Sequence, residues 1–588
     1  MSRHHGPTGM HPLILNDQDQ ADVVRVPEAS LAGDGATRMN DLVNRKGALM
    51  SGRRDEFEAR NHLTNALTDG SEGRRRHFSR RSFLARAAAT LSTAILAREA
   101  WSDSTSTGID ALGGPLVAGN PGPIWSMGAS ELADRIRARK LSSREVVDAF
   151  LERIDAVNGQ VNAITVVLAA SAREAAEHAD GLIARGMRVG PLHGVPFTVK
   201  ENIEMVGSAT TQGLVALANL IPTRDQPHIA QLKAAGAIPI ARTNLPDIAI
   251  RWHTDNELHG ATINPWDASR SPGGSSGGDA AALATGMTPL GMGNDYFGSL
   301  RVPAQFCGVA SLRPTLGRVP QASTILANVP MSLQLMGVQG PMARHVNDLR
   351  LAFQSMHEFD ARDPWWSPEP FKGPRLPRES RRRVAVQSHA DDPQVAAGIR
   401  KAADALADAG YDVVEEPAPM IIEGSDAAQD LVASDSTILA DLVRPFLGRD
   451  ASSFINTWVG LRPPIDKAGY VQAFSIRQGV ARAWTQFQEE YPLVLGPIST
   501  KRPFTVGRDL QGPAAVFEIF DSLRLVVVVN LAGLPSVTVP VGVAEGLPQA
   551  VQIIGPRYRE DLALAAAKAI ERRVGTITPI EPVAHAGA

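Results

Sequence analysis

Two glycine-rich stretches carry serines in settings that could do chemistry. One is Gly273-Gly274-Ser275-Ser276-Gly277-Gly278, and the other is Gly293-Asn294-Asp295-Tyr296-Phe297-Gly298-Ser299. Glycine lets a backbone turn sharply and approach another group closely. Two such clusters can therefore bring two hydroxyls and several free backbone N–H groups to one point. A nucleophile, a proton carrier and donors for an oxyanion are the equipment of acyl transfer. The same composition also suits a flexible linker, but the apolar residues at 281–283 and 302–304 interrupt it as a linker would not.

The run 271–320 contains GGSSGG, then G-x-D and GSLRVPAQFCG, then SLRPTLGRVP. It resembles the amidase signature family. So do GPLHGVPFTVKE at 190–201, NLAGLPSVTVPVGV at 530–543 and QIIGP at 552–556, and the match extends from about Trp125 to Arg573. The resemblance implies an α/β fold, with a large mixed twisted sheet covered by helices on both faces. Lys200 closes an apolar, strand-like run. By residue type alone it reads as a surface lysine. The family pattern G-x-P-x-x-V-K-[ED]-N instead carries the catalytic lysine onto it.

Amide hydrolysis needs a nucleophile, a proton path to the leaving nitrogen and stabilisation of the tetrahedral oxyanion. The run 271–320 that holds both serine clusters contains no histidine, so a Ser-His-Asp triad is not supported. Burial lowers a lysine pKa and could make Lys200 a base near neutral pH. The resemblance implies that Lys200 hydrogen-bonds Ser275, that Ser275 follows a cis peptide, and that Ser275 hydrogen-bonds the nucleophile Ser299. It also implies an oxyanion hole made of the N–H groups of Tyr296, Phe297, Gly298 and Ser299, with Ser276, Asp295 and Arg301 as structural support. One departure stands out: the family usually has Gly-Gly-Ser where this chain has Phe297-Gly298-Ser299. A positive φ at Phe297 would be strained, and two aromatics beside the nucleophile would reshape the acyl pocket.

The elements that must position these groups alternate. Helical spacing marks 130–140, 144–158 (Ser142 and Ser143 capping), 169–185, 229–235, 347–356, 392–409 and 561–572, and most of 421–492. Strands are expected at 161–168, 192–199, 237–241, 384–386, 413–414 and 493–497. Such alternation argues α/β layering. MGVQGPMAR at 336–344 is similar to a family turn. The resemblance makes the motif-free stretch 421–492 the pocket lining. It holds Trp458, Tyr470, Phe474 and Trp484, most of them core and one or two facing an aromatic-friendly pocket.

The chain has 588 residues, a formal net charge of −3 and 44 % hydrophobic residues, enough for a large core. Near-neutral charge argues against a nucleic-acid partner. The single cysteine, Cys307, leaves no internal disulfide and no multi-cysteine zinc site. It reads as a small core residue, and no metal or cofactor is expected. His253 and His259 lack the spacing that puts two imidazoles on one helix face and show no acidic partner pattern, so substrate-channel or structural roles are expected.

Residues 1–73 read as a disordered or mis-annotated extension, 74–100 as a twin-arginine-type signal (Arg80-Arg81-Ser82-Phe83-Leu84, then a short run of small residues), and 101–123 as a linker. Residues 124–576 form the expected amidase signature domain, and 577–588 a disordered tail. The signal implies export, periplasmic in a bacterium, with a cytoplasmic location as the alternative. The apolar run is too short to span a membrane. The expected partner is a small-molecule amide, and a homodimer is allowed. The leading function is a hydrolase of small or aryl-containing amides, carbamates or anilides. The alternatives are a non-catalytic binding protein closed by Tyr296 and Phe297, or the amide-cleaving subunit of an amidotransferase.

Overall fold

The computed structural model describes residues 122–325, 329–371 and 382–583. The expected extension, the arginine-pair segment and nearly all of the 101–123 linker lie outside these residues.

Eleven strands form one mixed sheet. They are β1 (Ile164–Val167), β2 (Pro196–Lys200), β3 (Ile238–Thr243), β4 (Leu290–Asp295), β5 (Ala310–Arg313), β6 (Val338–Ala343), β7 (Arg383–Val386), β8 (Asp412–Glu415), β9 (Leu493–Gly496), β10 (Ser536–Ala544) and β11 (Leu547–Ile554). Their spatial order is β1-β3-β2-β4-β6-β5-β10-β11-β9-β7-β8. The central strands β2, β5 and β6 are buried at every position, on both faces of the sheet. β2 is buried along its whole length, and its proline sits at the first position, where the missing N–H costs least.

The register of three strands builds the site. β2 lies parallel to both β3 and β4, with Thr198 opposite Gly291 and Val199 opposite Met292. The carboxyl ends of β2 and β4 therefore lie side by side, carrying Lys200 and Asn294. In open α/β sheets that edge is where ligands bind. The short helices Gly277–Ala284 and Arg301–Cys307 follow the two serine clusters and are wholly buried. Gly277–Ala284 is made almost entirely of glycine and alanine, small enough to pack hard against the strands.

A second apolar cluster joins the helices of the 421–532 region to Trp252, Phe297 and Phe306. The helices are Ile421–Val443, Arg449–Leu461, Lys467–Glu490, Pro513–Ser522 and Arg524–Ala532.

Most expected elements are present, with ends moved by a few residues. Two expectations need correcting. Residues 338–343 are not a turn: Val338–Ala343 is β6, paired along its length with β4. The tail does not leave the domain at 577. The N–H of Ile580 donates to Ala284 O (2.8 Å), that of Val583 to Pro265 O (3.0 Å), and Glu581 meets the buried Arg153 at 2.9 Å. Main-chain pairing holds these residues, and sequence periodicity cannot show it. Residues 584–588 lie outside the described residues.

Candidate active site

Lys200 is completely buried. Its Nζ lies 2.6 Å from Ser275 Oγ and donates to Asn294 Oδ1 at 2.9 Å. Burial drives its pKa from 10.5 down to about 7, against the pull of Asp279 and then Asp295. An amine in that range is partly free base at neutral pH and can accept the Ser275 proton.

Three groups to which the sequence assigned no role hold this amine. Asn294 and Asn202 exchange amide hydrogen bonds (3.0 and 3.4 Å), which fixes the oxygen facing Lys200. Buried Arg242 donates to the carbonyls of Val199 (3.1 Å), Lys200 (3.1 Å) and Ile203 (2.8 Å), clamping the strand end. Asn294 was legible only as a polar residue in a glycine cluster. Arg242 follows the strand expected at 237–241, and nothing in its sequence neighbourhood announced a three-carbonyl clamp.

Ser275 follows a cis Gly274–Ser275 peptide. Gly274 passes so close to neighbouring main chain that a Cβ there would sit 2.5 Å from Arg251 O. Ser275 and Ser299 both line one cavity. The expected hydrogen bond between them is not made. Ser299 Oγ has no protein partner among the described residues, and the link between the clusters is main-chain, Ser276 N–H to Ser299 O at 3.3 Å. Ser299 lines the cavity, and contacts of this kind are often long without substrate and tighten when it binds. Ser276 caps the Gly277–Ala284 helix through its carbonyl, and its own hydroxyl is buried without a partner.

The loop 295–299 differs from the expected oxyanion hole at one donor. Gly298 N–H is already given to Asp295 Oδ1 at 2.9 Å. The N–H groups of Tyr296, Phe297 and Ser299 donate to no protein acceptor among the described residues. The positive φ falls on Gly298 (+92°), not on Phe297. A Cβ at Gly298 would also lie 2.5 Å from Val526 Cγ1, so glycine is required there. The phenylalanine is thus accommodated without backbone strain.

Asp295 gathers hydrogen bonds across the loop, beginning with the Gly298 N–H. It also accepts Leu300 N–H (3.2 Å), Arg301 Nε and Nη2 (3.0 Å each) and Asn530 Nδ2 (2.8 Å). Burial opposes its ionisation, but Arg301 and Arg313 hold the carboxyl far below the usual range. Asp295→Ala leaves both arginines buried without a counter-charge. It is expected to cost about 3–5 kcal/mol of stability, read as a fall in urea midpoint at unchanged m.

His253 and His259 are both held by side-chain hydrogen bonds. His253 Nδ1 bonds Ser271 Oγ (3.1 Å). His259, contrary to expectation, does have an acidic partner: its Nε2 meets Glu201 Oε2 at 3.0 Å. The pairing spans 58 residues, so no local pattern announced it. Cys307 is buried and free.

The cavity holds about 630 Å³. Its lining includes an aromatic group, Trp252, Phe454, Trp458 and Phe520, beside aliphatic and polar residues. Trp252 meets Phe520 edge-on at 4.8 Å, and Trp458 stacks on Phe520 at 5.6 Å. Trp252 Nε1 also donates to Phe297 O (2.9 Å), tying this wall to the loop 295–299. Of the four aromatics singled out in sequence, Trp458 lines the cavity and Trp484 is core. Among the described residues no helix is long and apolar enough to cross a membrane.

The Amidase family model matches residues 145–564. The chain belongs to the amidase family. This amidase is 41 % identical over 465 residues to an indoleacetamide hydrolase of Bradyrhizobium diazoefficiens, covering 78 % of this chain and 88 % of that relative. It is 31 % identical to a glutamyl-tRNA(Gln) amidotransferase subunit of Moorella thermoacetica, over 76 % of this chain and 97 % of that one. Among solved structures it is similar to a bacterial aryl acylamidase of the amidase signature family. The TM-score is 0.66 at 26 % identity, over 76 % of this chain and 96 % of that one. The fold is that of the family, and the amidase is a hydrolase of amide C–N bonds.

Proposed function

We propose that this amidase hydrolyses aryl-containing amides through an acyl-enzyme on Ser299. Neutral Lys200 takes the Ser275 proton as Ser275 takes that of Ser299, and Ser299 Oγ attacks the amide carbonyl. The oxyanion collects the free N–H groups of Tyr296, Phe297 and Ser299. The proton returns through Ser275 to the departing amine as the C–N bond breaks. Water then attacks the ester, giving the acid and restoring the Ser299 hydroxyl.

One observation carries the substrate class: the aromatic wall of Trp252, Phe454, Trp458 and Phe520 shares a cavity with Ser299. Burying an aryl group there is worth about 1.5–3 kcal/mol, roughly 10- to 150-fold in kcat/KM. An arylacetamide is therefore expected to exceed acetamide by at least tenfold. Phe454→Ala should remove most of that preference while leaving acetamide turnover near its starting value. Equal kcat/KM for the two amides in the unaltered enzyme would contradict the aryl assignment.

Export rests on Arg80-Arg81 and the small-residue run after them. Fractionation of cells expressing the full chain should recover the enzyme outside the cytoplasm, and Arg80→Lys/Arg81→Lys should retain it inside. Cytoplasmic recovery of both forms would contradict export.

A further inference from the structure

We propose that Asp279 is the counter-group of Lys200, a carboxyl lodged behind the amine that sets the pH at which the base becomes free. The proposal rests on Lys200 acting as the base. Asp279 is the third residue of the Gly277–Ala284 helix and is completely buried. Its Oδ1 accepts Thr198 Oγ1 at 3.2 Å. Thr198 and Lys200 are two residues apart on β2, so their side chains leave the same face of the strand. Ser275, which Lys200 touches, stands two residues before the helix. Carboxyl and amine thus share the dry layer between helix and strand.

Asp279 is poorly provided for as an isolated anion. Its Oδ2 has no hydrogen bond among the described residues, and the one bond to Oδ1 is long. A buried carboxylate in that position is costly unless a cation faces it. Burial pushes the carboxyl up to about 7, while the neighbouring Thr243 hydroxyl and Lys200 pull the other way. Two arrangements of the pair compete: a free amine beside a neutral acid, and an ammonium beside a carboxylate. Their titrations belong to the pair.

The other charges around the helix have partners of their own, and of these Arg242 also pulls on Asp279, more weakly than Lys200 does. On β3, Arg242 donates to three carbonyls at the end of β2 and beyond. At the end of β4, Asp295 is held by Arg301 of the adjoining helix. Arg153, from the Ser143–Val161 helix, binds Thr285 O past the far end of the Asp279 helix, and Arg344 binds Leu283 O at that same end. Glu201 turns away to Thr165 and His259. Asp279 is the charge with the strongest pull on Lys200, ahead of Asp295.

The test is the pH profile of kcat/KM on an aryl amide. Asp279→Asn removes the charge that favours the ammonium, so the acidic limb should move down by about one pH unit or more. Asp279→Glu, which keeps a carboxyl, should hold the limb closer to its original place. A folded Asp279→Asn enzyme whose limb has not moved overturns the proposal, as does an equal displacement in Asp279→Glu. If Asp279→Asn does not fold, Thr198→Val replaces it. Loss of the hydroxyl that favours the carboxylate should also lower the limb, and an unmoved limb again overturns the proposal. Lys200→Ala separates the two levels: activity surviving that change breaks the base assignment itself, whereas an unmoved limb with Lys200 essential breaks only the role of Asp279.

Discussion

Ser299→Ala is expected to lower kcat by on the order of 10⁵-fold or more, the scale seen when a serine enzyme loses its nucleophile. KM for an aryl amide should stay within a few-fold, because the aromatic wall and the free N–H groups do not depend on the hydroxyl. The fold should not notice the change. Ser299 Oγ holds no protein partner among the described residues, so stability is expected to stay within about 0.5 kcal/mol. Steady-state kinetics together with thermal unfolding checks both halves. A variant that keeps more than about one-hundredth of the activity would move the nucleophile elsewhere.

Lys200→Met carries the second large effect. The side chain keeps its volume but loses the base, and general-base losses run to about 10²–10⁴-fold in kcat. The pH dependence gives the sign. Only the free amine accepts a proton, so in the unaltered enzyme kcat/KM should rise through about pH 7, falling tenfold per unit on the acid side. The methionine variant should lose that limb along with the rate. Stability carries the same signature. The lysine titrates near 10.5 when unfolded and near 7 when folded, so between these values the unfolded chain holds more protons and stability rises with pH. Denaturant titrations across that window should show the slope in the unaltered enzyme and a flatter line in Lys200→Met.

The fold was legible where elements are long and periodic. The helix Ser143–Val161 shows its capping box at Ser142 and Glu145 and its apolar stripe in the sequence itself. The strand β6 was missed because 336–344 reads as a turn by its likeness to a family turn. It pairs with β4 on one side and β5 on the other. Gly340 has room for no side chain, since a Cβ would sit 2.3 Å from Leu312 O. The serines stood out in local glycine-rich patterns, whereas Lys200 was named only through the family pattern, since a strand-end lysine alone reads as a surface residue. What the patterns could not give was the partner of each group. Asp295 taking the Gly298 N–H, Glu201 taking His259 and Arg242 clamping the Lys200 strand are contacts across 3, 58 and 42 residues, and only the folded register selects among them. The aromatic wall was half visible. Trp458 lay in the stretch expected to line the pocket, whereas Trp252 and Phe520 come from segments with no motif.

The rate at which a fluorophosphonate labels the enzyme, measured from mildly acidic to mildly alkaline pH with the labelled peptide mapped, tests the central claim most directly. The label should land on Ser299, and its rate should rise through about pH 7 as the Lys200 amine becomes free. A label on any other residue, or a rate indifferent to pH over that range, would contradict a lysine-driven serine nucleophile.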